Sequence, residues 1–244
     1  MSTAASPTSL EYSGPGTGIA GRHHFLLRRL HSLTGLVFGG YLIVHLLINA
    51  TIAQGGNVYQ TQVDKIHDLP FLPVVEWTFI YLPILYHTAY GIWITVNGQW
   101  NVNHYPYEKN WFYVLQRVSA VIIVFFMLFH VLSLKYGAFG QGLKFNPHYA
   151  AMRTVAVHMD RSFLITWGLY PLGILASCYH LANGFWTAAI TWGLTISKSS
   201  QRRWGYVCLG LFVLTFVAGM LALAAAAKLD PNTVPLAPNA HTQS

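Results

Sequence analysis

Five long apolar stretches are separated by polar connections along the chain, at residues 30–53, 72–96, 112–135, 163–191 and 205–227. Each exceeds the roughly 20 residues of helix needed to cross a hydrocarbon core of about 30 Å. The runs are continuous, whereas a membrane β-barrel would show alternating segments of about ten residues. A bilayer also requires every backbone polar group to be satisfied within the segment, which favours helices. The pattern therefore predicts an all-α membrane protein with five transmembrane helices. Residues 1–20 are rich in Ser, Thr, Gly and Pro, residues 228–244 are polar with three prolines, and both read as mobile tails. No signal peptide is expected, because the first apolar run follows a polar lead and is far longer than an h-region. The 136–162 connection has room for a short surface helix.

Composition sharpens this picture. Of 244 residues, 54% are apolar and only 9% are charged, against about 25% charged in an ordinary soluble domain. So few charges cannot cover a soluble surface, and two cysteines do not make a disulfide scaffold. The net charge of +7 reads as basic loops and contact with anionic headgroups, not as nucleic-acid binding. With the N-terminus inside, the cytoplasmic side carries Arg22, Arg28, Arg29, Lys109, Arg117, Lys198, Arg202 and Arg203. The other side carries Lys65, Lys135, Lys144, Arg153, Arg161 and Lys228. This bias, and the Arg28-Arg29 and Arg202-Arg203 pairs at span ends, orient the N-terminus toward the cytoplasm.

Four of the twelve histidines fall at membrane depth, one per span: His45, His87, His130 and His180. An ionisable residue there is a functional candidate. Spans one and three run outward, and His45 lies 15 residues past Leu30, roughly 22 Å from the inner face. His130 is 18 residues past Phe112, at a similar outer depth. Spans two and four run inward, so His87 and His180 lie near the inner side. The four sort into an outer pair and an inner pair, roughly 15 Å apart along the normal. This is the arrangement of two bis-histidine haems stacked in a four-helix bundle. Gly35 and Gly39 follow His31 at four-residue spacing on nearly the face of His45, and Gly91 and Gly184 follow His87 and His180 by one turn, placing the small residues that a flat macrocycle needs beside it. No C-x-x-C-H is present, so the haems would be b-type. Ordinary helix–helix hydrogen bonding by single histidines, a zinc centre and a proton-relay transporter are the competing readings.

In these residues the chain resembles the membrane-anchor cytochrome b subunit of succinate dehydrogenase, in the single-subunit, five-helix, two-haem branch related to di-haem fumarate reductases. The landmarks are FLLRRLHSLTG (25–35), the VH pair ending at His45, HDLPF (67–71), LPILYHTAYG (82–91), NWFYVLQRVSA (110–120), FHVL (129–132) and YHLANGFWTAAITWGLTISKSSQR (179–202). The resemblance implies a di-haem domain over 21–227, in a bacterial inner membrane with the N-terminus cytoplasmic. It implies that His45 and His130 hold the outer haem iron and His87 and His180 the inner. It further implies an iron–sulfur subunit and a flavoprotein subunit as partners, and menaquinone or another quinone as electron acceptor. Cytochrome b subunits of hydrogenases or formate dehydrogenases, and a haem-free histidine transporter, are the alternatives. Cys178 stands two positions before the fourth-span histidine, where some di-haem fumarate reductases have a glutamate, and weighs against a glutamate-gated proton path.

Beyond the histidine ligands, Arg28, His31, Ser32 and Gln116 lie at the inner ends of spans one and three. They are candidate partners for propionates or the pocket of the inner haem. Asp68 and Glu76, where the second span begins, are candidates for delivering protons to a quinone near the outer haem. Anchoring of a helix end explains the arginines and Glu76 equally simply. His23, His24, His104, His148, His158 and His241 lie in connections or tails and receive no role.

Overall fold

The computed structural model describes residues 19–98, 107–139, 144–148 and 150–234. Most of both expected tails (1–18 and 235–244) lies outside the described residues. Among the described residues there is no strand, and the chain forms one short 3-10 helix (Thr51–Gln54) and seven longer helices. These are α1 (Ile19–Ala50), α2 (Gly56–His67), α3 (Leu72–Val96), α4 (Glu108–Tyr136), α5 (Ala151–Asp160), α6 (Ile165–Thr191) and α7 (Lys198–Ala226). Of these, α1, α3, α4 and α7 are each long and apolar enough to cross a bilayer. Helix α6 meets the same test together with α5, from which it is bent by 100°. The exteriors carry large apolar side chains at mid-span, including Leu85, Phe125, Leu128 and Val213. Only a hydrocarbon surround accepts such a surface, and the chain is a multi-pass membrane protein.

Two spans contain a proline and share one device. Pro83 in α3 and Pro171 in α6 each follow a widened π-helical turn, Trp77–Tyr81 and Ile165–Leu169 respectively. A proline ring clashes with the carbonyl four residues earlier and offers no N–H to it. Those carbonyls, at Phe79 and Trp167, belong to the widened turns, which absorb the clash without breaking the span. Helix α7 begins at Ser197, whose hydroxyl accepts the Ser200 N–H at 3.1 Å. Helix α4 ends at Gly137, whose φ of 65° suits glycine and whose N–H bonds Leu132 O.

The long helices pack in a ring that does not close. α3 lies on α1, α1 on α7, α7 on α6 and α6 on α4. Neither α1 and α4 nor α3 and α6 are close-packed neighbours.

Two helices lie outside the spans. The sequence pattern signalled nothing helical at 56–67, yet α2 forms there because Tyr59 and Val63 bury one face of an otherwise polar segment. Burial pushes the Tyr59 phenol up to about 12. Helix α5 falls within the 136–162 connection and buries Ala151, Met152, Val155 and Met159 together with His158. It packs on α2, α4, α7 and the first turn of α6, and so covers one end of the bundle.

Candidate metal centre: two histidine pairs

Alternating helix direction brings the four intramembrane histidines together in twos. His45 on α1 faces His130 on α4, with ring centroids 5.9 Å apart and planes at 89°. His87 on α3 faces His180 on α6 at 6.1 Å and 89°. Each pair bridges helices that do not pack against one another. Two metal–imidazole bonds of about 2 Å plus the ring radii set centroids about 6 Å apart, so the two imidazoles of each pair are spaced to hold one metal ion between them.

Backbone carbonyls sort the ring nitrogens of the His87/His180 pair. His87 Nδ1 lies 3.0 Å from the His31 carbonyl, and His180 Nδ1 lies 3.1 Å from the Gln116 carbonyl and 3.3 Å from Ser119 Oγ. A carbonyl only accepts, so Nδ1 carries the proton in both, and Nε2 keeps a free lone pair. His130 Nδ1 lies 3.2 Å from the Tyr170 hydroxyl, and His45 Nδ1 lies 3.5 Å from the Asn49 side-chain amide. At His87, His180 and His130 a neighbour able to accept holds the outer nitrogen, the usual support for a ligating imidazole, whereas the Asn49 amide nitrogen only donates and does not hold a proton on His45 Nδ1.

The distance between the pairs can be read along α1. The His87 ring stacks on His31, and a Cβ on Gly35 would sit 2.5 Å from His87 Cε1. Gly35 and His31 precede His45 by 10 and 14 residues, which puts the pairs roughly 15–20 Å apart.

At the His87 end, the structure brings two of the four pocket candidates against the pair. His31 stacks on His87 with centroids 4.1 Å apart, and its own Nδ1 is buried without a hydrogen-bond partner. The Gln116 amide donates to the His180 carbonyl at 3.1 Å and accepts from Asn183 at 2.8 Å. Its side chain is therefore committed to holding α4 on α6. Ser32 accepts the Trp192 indole N–H at 3.0 Å, and the Arg29 guanidinium lies over the Trp192 ring. Arg28 is exposed. The buried cation of this region is Arg117, 5% exposed and stacked over Tyr113 at 4.2 Å.

At the His45 end, Tyr41 packs against His45 at 5.7 Å and lies within electrostatic reach of Glu76 and Tyr81. The Lys135 ammonium donates to the Tyr81 hydroxyl and also feels Glu76. Glu76 thus shares an electrostatic neighbourhood with Tyr41, Tyr81 and Lys135. Asp68 is exposed at the end of α2, its backbone N–H bonded to the Asp64 carbonyl.

Sequence reasoning missed Ser119, Asn49 and Tyr170 beside the ligand rings, and His158 behind Tyr170. Tyr170 had a usable signal. It lies ten residues before His180 on the same helix, about 15 Å away and so level with the other pair. His158 gave none, because its place depends on how α5 folds back.

The donor set fits haem. Among the described residues, no group of three or more His, Cys, Asp and Glu side chains stands together as a protein-only metal site needs. The donors come in twos, as an iron already held by a macrocycle uses them.

No family model matches the chain. Over 209 residues it is 34% identical to the succinate dehydrogenase cytochrome b558 subunit of Bacillus subtilis (strain 168), covering 85% of this chain and 99% of that protein.

Proposed function

The chain belongs to the family of succinate dehydrogenase cytochrome b membrane subunits, and from that premise we propose that it is a di-haem electron conduit between an iron–sulfur subunit and a quinone. The observation that carries this reading is the presence of two histidine pairs, at 5.9 and 6.1 Å, toward opposite ends of one bundle. His45 and His130 would hold one haem b, and His87 and His180 the other, each through Nε2. Bound there, haem supplies reversible one-electron transfer, while the protein supplies ligation, spacing and low dielectric.

The roles of the chain's own residues follow from their chemistry. At the His87 end, Arg117 offers a buried cation to a propionate. His31 walls the pocket, and Arg28 and Ser32 line its approach. Gln116 acts through His180. The same end carries the basic residues Arg28, Arg29, Lys198, Arg202 and Arg203, suited to docking the iron–sulfur subunit on the cytoplasmic face, with the flavoprotein beyond it. At the other end a quinone, menaquinone in this reading, requires two protons per reduction. Glu76, within electrostatic reach of Tyr41 and Lys135 at the His45 end, would pass them on. Asp68 at the exposed end of α2 would collect them from the outer solution. The chain lacks a succinate site of its own in this reading, and the membrane is a bacterial cell membrane with the N-terminus inside.

Purification from native membranes tests the proposal. The expected result is co-purification with an iron–sulfur and a flavin-containing subunit and two haem b per chain. A complex with fewer than two haems per chain would refute the di-haem conduit.

A further inference from the structure

Helix α5 carries a histidine that the conduit just proposed does not use. His158 is fully buried in a segment outside the spans. Its Nε2 lies 2.6 Å from the Tyr170 hydroxyl, and that same hydroxyl lies 3.2 Å from His130 Nδ1. One phenol therefore joins a histidine of α5 to a candidate iron ligand.

The proton assignments along this line follow in order. If His130 gives Nε2 to a metal, its Nδ1 must carry the proton and donate to the Tyr170 oxygen. The Tyr170 hydroxyl hydrogen is then available to His158 Nε2, the acceptor at 2.6 Å. Each bond polarises the next, so a Tyr170 that is donating to His158 is a stronger acceptor for His130. Stronger acceptance at Nδ1 puts more electron density on the imidazole and favours the oxidised metal.

Packing holds the line in place. Phe126 stacks on His130 at 5.6 Å and meets Tyr170 edge-on at 5.3 Å. It fits because Gly173 has no side chain: a Cβ there would overlap the Phe126 ring. Phe129 lies against His158 at 5.9 Å. The end of α5 is tied to α6 by Thr166, whose hydroxyl donates to the Met159 carbonyl at 2.6 Å. The His87/His180 pair differs, since its Nδ1 atoms face backbone carbonyls of the spans.

We propose that His158 is a positioning residue for His130: acting through Tyr170, it orients that imidazole and biases the metal at the His45/His130 pair toward its oxidised state. This rests on the reading of that pair as haem ligands.

Redox titration and electron paramagnetic resonance of the purified complex test it, with the relevant haem identified as the one lost in His45→Ala. The wild type is compared with Tyr170→Phe, His158→Leu, His158→Gln and the Tyr170→Phe/His158→Leu double variant. Tyr170→Phe should move that haem's equilibrium toward the reduced form by roughly three- to tenfold, tenfold being about 59 mV for a one-electron couple. His158→Leu should produce a smaller shift in the same direction. His158→Gln, which keeps an acceptor, should return toward wild type, and His158→Leu should add nothing in the Tyr170→Phe background. The other haem should not move. If Tyr170→Phe retains both haems at wild-type potentials and resonance signatures, the positioning role is overturned, even where His158→Leu fails to assemble. A wild-type complex without a haem that depends on His45 and His130 would instead overturn the underlying reading.

Discussion

His31 lies flat against His87, ring centroids 4.1 Å apart and planes within 7°, and its backbone carbonyl holds His87 Nδ1 at 3.0 Å. One residue thus supports the imidazole through both its ring and its main chain. The main-chain bond survives any substitution, so the ring stack can be tested alone. His31→Phe should retain a haem at the His87/His180 pair, and His31→Ala should broaden or shift its spectrum. The His45/His130 haem should be unchanged in both, as read by low-temperature absorption. Equal disturbance of both haems would contradict this local role.

Gly35 gives the most local handle on the same pair. A Cβ there would meet His87 Cε1 at 2.5 Å, so any side chain must displace the ligand ring. Overpacking of this kind costs about 1–3 kcal/mol. Gly35→Leu should remove the His87/His180 haem while leaving the other, and haem quantitation should fall from two per chain toward one. Full retention of both would show that the ring is free to move.

Proton delivery to the quinone is tested at Glu76. Glu76→Gln should lower quinone reduction by about tenfold or more, with haem content and succinate oxidation by an artificial acceptor intact. Asp68→Asn, exposed and farther from the pair, should have a smaller effect in the same direction. Wild-type quinone reduction in both variants would move the quinone site to the His87 end.

The short helix α5 should make stability depend on pH. Burial, reinforced by the neighbouring Arg161 cation, lowers the His158 pKa to about 4 from an ordinary 6.5. Between those values the unfolded chain binds a proton that the folded chain does not. Stability therefore falls as pH drops from 6.5 toward 4, by at most about 1.4 kcal/mol per unit. The thermal midpoint of the detergent-solubilised complex should follow this slope, and His158→Gln should flatten it. An equal slope in both proteins would assign the dependence to other groups.

The five spans were legible because hydrocarbon imposes a length and a composition that a sequence displays directly. The depths of His45, His87, His130 and His180 were legible because a constant helical rise turns residue numbers into distances. Helix α2 was not legible: its amphipathic face is short and becomes apolar only against α5 and the bundle end. The role of Gln116 was only partly legible. Its height beside the inner pair could be counted, but not that its amide is taken up by the His180 carbonyl and Asn183. His158 was out of reach, since a connection's path sets its partner and periodicity says nothing about that path.

The pairing of the four histidines is the claim on which the rest depends. Haem-resolved redox titration of the complex in His45→Ala, His87→Ala, His130→Ala and His180→Ala tests it most directly. His45→Ala and His130→Ala should abolish the same component and leave the other, and His87→Ala and His180→Ala should do the reverse. Loss of one shared component in His45→Ala and His87→Ala would contradict the pairing, and so would four variants that each retain both haems.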